Sequence, residues 1–502
     1  MPVHPIYSVI QRTYHYRNNL LCVSFTIMNK TTILQTLKSI IDPDFNKNIV
    51  DLGFVKNIVI KNDSEISLDI ELTTPACPVK DEFHRQAVEL LQALPGVTKV
   101  NVNMTAQPIK KQVYLENSLL HSVRHIVAVS SGKGGVGKST VTANLAMALA
   151  LSGARVGILD ADIYGPSMGM MFGIDKDPEI RPDQTLVPVT VAAGIQIVSM
   201  SMLSDPNRAT IWRGPMATQM INNFLHRVHW GHLDYLLIDF PPGTGDIQLT
   251  LTQSCPLSGA IVVTTPQNVA LADVRKGLSM FKSVAVPVVG VIENMSWFQC
   301  DNCDKKHYIF RQGGGSRTAE ELNLSFLGEI PIELGVADSG DEGKPIVYTQ
   351  PNSLSAQCFI ELAGKTASSL SVLAANSSQL DTMNLAFEEL EVKELPGEAE
   401  KNAVPMAAPT EVFATANQKL AITWSDGLSH TYSQRDLRIK CPCAECIDEW
   451  TGEALLDPNT VSEDVKLSNL YTVGRYALGL AFSDGHRGGL YTWDHLRKIA
   501  KD

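Results

Sequence analysis

Gly132-Lys133-Gly134-Gly135-Val136-Gly137-Lys138-Ser139 is the stretch that decides the fold. It fits G-x-x-x-x-G-K-[ST] without a mismatch, between an apolar strand predicted to end at Val129 and a helix predicted to begin near Lys138. Glycines so spaced let successive backbone N–H groups turn inward around phosphates, and the following helix adds its dipole. Lys138 is expected to neutralise the β- and γ-phosphates and Ser139 to ligate Mg²⁺. Gly132 through Ser139, with Thr140, form the expected nucleotide-binding set. A glycine-rich turn with no ligand is the weaker alternative, because motif and context agree.

Outward from the loop, apolar strands alternate with helical segments. Strands are expected at 126–129, 156–159, 195–198, 235–238, 260–264 and 288–292. That alternation predicts an α/β fold with a doubly wound parallel sheet. Two strand ends carry acids. Asp160-Ala161-Asp162 follows one, and an aspartate there, Asp162 in the expected catalytic set, can orient the attacking water or bind Mg²⁺ through water. Asp239 ends another and leads into Pro241-Pro242-Gly243-Thr244-Gly245-Asp246, the usual place for a Mg²⁺-binding aspartate. Strand-end turn formers are the plain alternative for all three aspartates.

The chain has 502 residues and a formal net charge of −11, which argues against a broad nucleic-acid surface. No uninterrupted apolar run approaches the ~18 residues of a membrane span. Residues 1–27 contain no Asp or Glu and carry Arg12 and Arg17. A targeting peptide, leading to an organelle stroma or matrix, is one reading of them. Translation from Met28 and a cytoplasmic protein is the preferred one.

Composition separates a small α/β block at 28–111, the P-loop block at 121–369, an acidic Pro/Ala linker at 374–410, and a small strand-rich block at 411–499. In the first, a helix over 33–41 with Leu34, Leu37 and Ile41 on one face precedes a period-two strand at 66–72, a helix at 80–94 and a strand at 97–102. A further helix is expected at 385–390. In the last block, Trp424-Ser425-Asp426-Gly427 and Phe482-Ser483-Asp484-Gly485 read as equivalent turns after equivalent strands.

Five of the nine cysteines fall in two clusters, Cys300/Cys303 and Cys441/Cys443/Cys446, which in a reducing compartment points to metal more than to disulfides. Cys300-Asp301-Asn302-Cys303 supplies half of a Cys₄ set, so a two-fold dimer would pool two pairs around one [4Fe–4S] cluster. A zinc knuckle or a redox pair are the alternatives. Cys441, Cys443 and Cys446 with His486 would make a Cys₃His zinc site stapling the last block, with a second cluster as the lesser alternative.

The K-G-G-V-G-K-[ST] loop, with its early Lys133, resembles the MinD/ParA/nitrogenase-iron-protein class of P-loop ATPases. That likeness implies an ATP-sandwich homodimer in which Lys133, with Lys138 and Asp162 as the catalytic set, reaches the partner's nucleotide. Asp160 to Ser167, Arg213-Gly214-Pro215-Met216, Asp239 to Asp246, Thr265-Pro266-Gln267 and Glu293-Asn294-Met295-Ser296 resemble, more narrowly, the Mrp/ApbC iron–sulfur carriers. The resemblance implies that Asn294 lies beside the adenine and that Cys300/Cys303 is the cluster pair. It also implies apo iron–sulfur proteins and assembly scaffolds as partners.

The first block resembles the small domain of iron–sulfur assembly factors, through Asp42-Pro43-Asp44 and Thr73-Thr74-Pro75-Ala76-Cys77-Pro78. This implies Cys77 as an acceptor thiol; a small buried hydrophobe is its alternative. The last block resembles the N-terminal domain of γ-butyrobetaine hydroxylase. The three-block order is similar to that of plant chloroplast iron–sulfur carriers. One departure is Glu333, where the family often has arginine. The expected function is ATP-dependent cluster loading and transfer with slow hydrolysis. A non-hydrolysing scaffold, a positioning ATPase on membrane or DNA, and an electron-transfer ATPase are the rivals; the acidic charge and cysteine-bearing C-terminus weigh against the positioning reading.

Overall fold

In the computed structural model, the described residues are 29–500 except 63, 107–118, 164, 203–218, 222, 226, 244, 285, 301, 376–383, 394–408, 444–445, 448–452, 474–476 and 488. The expected extension 1–27, the Arg213–Met216 motif and most of the linker lie outside them.

The described residues divide into two compact units, the smaller drawn from 29–42, 47–70 and 82–103. Helix α1 (Lys30–Leu37) is capped by the Asn29 side chain, which accepts from Thr32 N, and buries Ile33 and Leu37. It stops four residues before the expected Ile41, which is instead 53% exposed in a two-residue strand paired to Lys47–Asn48. Strands β1 (Val55–Lys61), β2 (Glu65–Leu72) and β3 (Lys99–Ala106) form one sheet with β2 central, beside helix α2 (Lys80–Gln92). Ile66, Leu68, Ile70 and Leu72 alternate inward along β2 as the period-two pattern predicts.

The larger unit holds an eight-stranded sheet in the order β6-β7-β5-β8-β4-β9-β10-β11. These strands are β4 (Val123–Ser130), β5 (Val156–Asp160), β6 (Val189–Thr190), β7 (Gln196–Ser199), β8 (Leu233–Asp239), β9 (Gly259–Thr264), β10 (Val288–Glu293) and β11 (Phe326–Glu329). All pairings are parallel except β6 with β7. The central strands are buried on both faces, as continuous apolar runs require. One core packs α3 (Lys138–Leu151) and α4 (Leu354–Ala375) on one side; a second packs the opposite face around Trp230, Phe240 and Phe281. By length and composition α4 is apolar enough to cross a membrane, but it is interrupted by Glu361 and Lys365 and buries Phe359, Leu362 and Leu370 in the core. The departure at Glu333 has a local reason: its carboxylate accepts from Ser355 N at 2.9 Å, in the first turn of α4.

The last block pairs Pro409–Ala414, Leu420–Trp424 and Ser429–Tyr432 in one sheet, and Asn384–Ala386, Leu467–Val473, Ala477–Phe482 and Gly489–Thr492 in another. Where a helix is expected at 385–390, Leu385 pairs with Leu470 in a strand and Phe387–Glu389 make a 3₁₀ turn, with Phe387 and Leu390 in the block's core. The two Ser-Asp-Gly turns are equivalent in detail. Gly427 N–H donates to Trp424 O (2.9 Å) and Gly485 N–H to Phe482 O (3.1 Å), with both glycines at positive φ, +80° and +87°. Each turn aspartate then pairs with an arginine, Asp426 with Arg497 and Asp484 with Arg438.

Candidate functional site

Parallel strands that share a direction bring their C-terminal ends to one edge, where α/β folds place ligands. Here that edge collects the loop after β4, Asp160 at the end of β5 and Asp162 just beyond it, Asp239 at the end of β8, and Asn294 after β10. The loop is a cleft wall: residues 131 and 133–140, with Asp162, Ser167, Met171 and Pro242, line an open cavity of about 230 Å³.

Two glycines of the loop are required by space or angle. A Cβ on Gly132 would sit 2.3 Å from the Asp273 carbonyl carbon, and Gly137, the residue before α3, has φ +77° with only 2.3 Å to Asn294 Nδ2. Lys138 is 6% exposed and its ammonium donates to Asp239 Oδ1 at 2.7 Å; Asp162 lies 3.8 Å from it. Ser139 Oγ donates to Asp239 Oδ2 (2.6 Å) and Thr142 Oγ1 to Oδ1 (3.0 Å). The hydroxyl and carboxylate expected to share a magnesium ion therefore adjoin, as hard oxygen donors for such an ion should. Lys133 is exposed, and Ser131 Oγ donates to its carbonyl (2.9 Å). Gly243 N–H donates to Ser131 O (3.2 Å), tying the segment after Asp239 to the loop. Asn294 Nδ2 donates to Val136 O at 2.9 Å.

Asp160 and Asp162 differ in placement. Asp160 is wholly buried and accepts from Ser199 Oγ (2.8 Å) and from the N–H groups of Asp162 (3.2 Å), Ser167 and Met168 (both 3.1 Å). Burial, and then the charge of Asp239, push its carboxyl up to about 7. It holds the segment that carries Asp162. Sequence spacing missed Ser199, which is 39 residues away, and Thr142, whose only signal is its place one turn along α3 from Lys138.

Cys300 and Cys303 sit on the turn of a hairpin, Phe298–Gln299 paired with Lys306–His307; Cys303 is exposed and Cys300 half-buried. Cys300 N–H donates to Lys305 O (3.0 Å), closing the turn, and the Lys306 ammonium lies 3.8 Å over the Trp297 ring. The hairpin carries two thiols, half of a four-sulfur ligand set. Cys77 is half-buried in the segment 71–81 of the larger unit, where Thr74 Oγ1 lies 2.7 Å from Tyr235 OH. Among the described residues it is not gathered with other cysteines into a metal-ligating group.

In the last block Cys441, Cys443, Cys446 and His486 converge, all ligand atoms within 4.8 Å of one another. His486 Nε2 lies 3.2, 3.5 and 3.9 Å from the three sulfurs in that order. A tetrahedral zinc ion with Zn–S of about 2.3 Å would set ligand spacings of roughly 3.5–3.8 Å, a range that the observed distances bracket, and three thiols with one imidazole are a donor set suited to it. Burial pushes the Cys441 thiol up to about 12 and raises Cys446. A divalent cation would hold them as thiolates. Arg438, unpredicted, donates to Cys446 Sγ (3.4 Å) and to Asp484 (2.7 Å), placing a positive charge beside the sulfurs.

Comparison with known proteins gives three matches in chain order. Residues 30–103 match the model for iron–sulfur cluster assembly proteins, 122–367 that for the NUBPL iron-transfer P-loop NTPase, and 412–497 that for the γ-butyrobetaine hydroxylase-like N-terminal domain. The chain is 39% identical over 472 residues to the chloroplastic Fe-S cluster assembly factor HCF101 of Arabidopsis thaliana, covering 93% of this chain and 82% of that protein. It is 43% identical over 352 residues to the iron–sulfur cluster carrier protein of Synechocystis, covering 69% of this chain and 99% of that one. To the carrier protein of Pseudomonas fragi it is 48% identical over 274 residues, covering 54% of this chain and 94% of that one.

Proposed function

The chain belongs to the iron–sulfur cluster carrier family of P-loop NTPases, and from that premise we propose that it is an ATPase whose dimer binds a [4Fe–4S] cluster as cargo and passes it to apoproteins. Within it, 28–111 is the assembly-type block, 121–369 the ATPase and 411–499 a metal-stapled block.

The observation that carries this reading is the common root of two sites. The Cys300/Cys303 hairpin leaves the sheet just after Asn294, whose amide touches the P-loop at Val136 O. The thiols and the proposed nucleotide loop thus share one sheet edge.

In this reading the inward N–H groups of 132–140 and Lys138 bind the phosphates, while Asn294 lines the adenine side. Ser139 and Asp239 hold Mg²⁺, which when bound neutralises charge on the phosphates. Asp162 orients the attacking water, and Lys133, exposed on the loop, reaches the nucleotide of a second copy. Closure of two copies then brings two cysteine pairs together around the cluster. The fit of Cys441, Cys443, Cys446 and His486 supports structural zinc in the last block. Apo iron–sulfur proteins and assembly scaffolds are the proposed partners. A reducing cytoplasm or organelle stroma suits the required thiols, and none of the eight described cysteines is in a disulfide.

Anaerobic reconstitution with iron and sulfide tests the proposal. The wild-type chain is expected to gain visible cluster absorbance, with about four irons per two chains. Cys300→Ala is expected to lose the absorbance and keep nucleotide binding. Full absorbance in that variant, or a monomer holding the full iron complement, would overturn the assignment.

A further inference from the structure

We propose that Glu293 is a positioning residue that clamps both roots of the cysteine hairpin and transmits the state of the P-loop to Cys300 and Cys303. Glu293 ends β10 and is 0% exposed. A carboxylate so buried must be met by donors, and the two it has come from opposite ends of one excursion. Ser296 Oγ, before the hairpin, donates to Oε1 at 2.6 Å. The backbone N–H of Gly315, after the hairpin, donates to Oε2. One side chain thus closes the loop that carries both thiols.

The local sequence is built for that approach. Gly315 lies in the first turn of the helix Gly314–Glu321, where a carboxylate is favoured by the dipole. A Cβ on Gly315 would meet Glu293 Cβ and Oε2 at 3.0 Å, and one on Gly314 would meet Pro266 O at 2.5 Å. Only glycines let this helix end come so close to the strand ends.

The clamp is also the neighbour of the nucleotide loop. Asn294, the next residue, donates from Nδ2 to Val136 O (2.9 Å) and from its backbone to Thr264 O (2.8 Å). A shift of the P-loop at Val136 therefore acts on 293–294, and through Ser296 and Gly315 on the hairpin. The contacts form one contiguous packed route, and a measured coupling is what would establish it. The inference deepens the cluster-carrier reading, but its test uses cluster-free protein and so stands or fails separately from reconstitution.

The test is the rate of iodoacetamide modification at Cys300 and Cys303, read by peptide mass spectrometry on the full, reduced chain. It is measured with and without a non-hydrolysable ATP analogue and Mg²⁺. Buried Cys255 is the control for global opening. The wild-type rate is expected to change about five-fold with the analogue. Glu293→Gln, which leaves one acceptor oxygen where the carboxylate offers two, is expected to raise the basal rate about three-fold and abolish the nucleotide response, with nucleotide affinity within about two-fold. If Cys255 becomes reactive in Glu293→Gln, Ser296→Ala decides, because it removes only the Oε1 donor; it is expected to shift both quantities in the same direction by less. A wild-type chain with no nucleotide response overturns the proposal. So does a folded Glu293→Gln, or a Ser296→Ala, that keeps the wild-type rate and response.

Discussion

Lys138 Nζ lies 2.7 Å from Asp239 Oδ1, and both residues are buried, so the P-loop lysine and the strand-end carboxylate form an internal ion pair rather than two surface charges. Asp239 is further satisfied by Ser139 and Thr142, and Asp160 lies close enough for its carboxyl to feel the charge of Asp239. One buried cation thus stands among three carboxylates, counting Asp162 at 3.8 Å.

Lys138→Ala should therefore do more than remove a phosphate contact. It strands buried negative charge, at a cost of about 3–5 kcal/mol when one partner of such a pair is lost. Nucleotide binding should fall below detection in calorimetry, and the chain should unfold at lower urea concentration. Wild-type ATP affinity in the variant would remove the loop from the proposed site.

Asp160 gives a pH prediction with a definite sign. Its carboxyl is raised from 3.8 to about 7, chiefly by burial. The native chain then keeps a proton that the unfolded chain releases across that window. Stability from this group falls as pH rises from 3.8 towards 7 and levels off above. Asp160→Asn should remove the dependence, so that its stability relative to wild type improves between pH 5 and 7 by up to about 1.4 kcal/mol per pH unit. Amide exchange in β8, corrected for intrinsic rates, reads this directly. A variant whose difference from wild type is flat with pH would refute the assigned shift.

What was readable in the sequence was what short spacing encodes. The eight-residue loop, the strand-ending aspartates, the Cys₃ run and the paired Ser-Asp-Gly turns depend on neighbours in the chain or on a repeated local pattern. What escaped depends on distant partners. Nothing near Ser199 marks it as the donor to Asp160, and nothing near Glu293 points to Gly315. The strand at 384–386 has the same origin, whereas α1 ends early because a short local hairpin competes with the helix. Ile41 and Leu385 fit a helical period, yet each pairs into a strand, Ile41 with Asn48 and Leu385 with Leu470. Tertiary pairing overrides local preference at Leu385.

Cys441→Ser should separate the last block from the ATPase. With the four donors within 4.8 Å, one divalent ion per chain is expected by metal analysis. Structural zinc contributes on the order of 10 kcal/mol or more to folding of small domains. The variant, or the wild type after strong chelation, should lose that ion and become open to proteolysis within 411–499. Nucleotide binding should persist. A chelated chain as resistant as the loaded one would show that the core around Trp424 and Tyr491 suffices without metal.

Lys133 is the sharpest test of the dimer, because it differs from Lys138 in one physical respect. Lys138 is buried in an ion pair, whereas Lys133 stands exposed on the same loop. Truncating an exposed side chain away from caps and cores normally changes stability by less than about 0.5 kcal/mol. Lys133→Ala should therefore fold as the wild type does and still bind nucleotide as a single chain. If the lysine serves a second copy, its loss should appear only when two chains meet. Sizing with a non-hydrolysable ATP analogue should show monomer where wild type shows dimer. Phosphate release per chain should fall about 10³-fold, the scale on which a cation supplied in trans acts in phosphoryl transfer. Unchanged hydrolysis and dimerisation would leave Lys133 an ordinary loop cation, and the cysteine pairs would need another means of meeting.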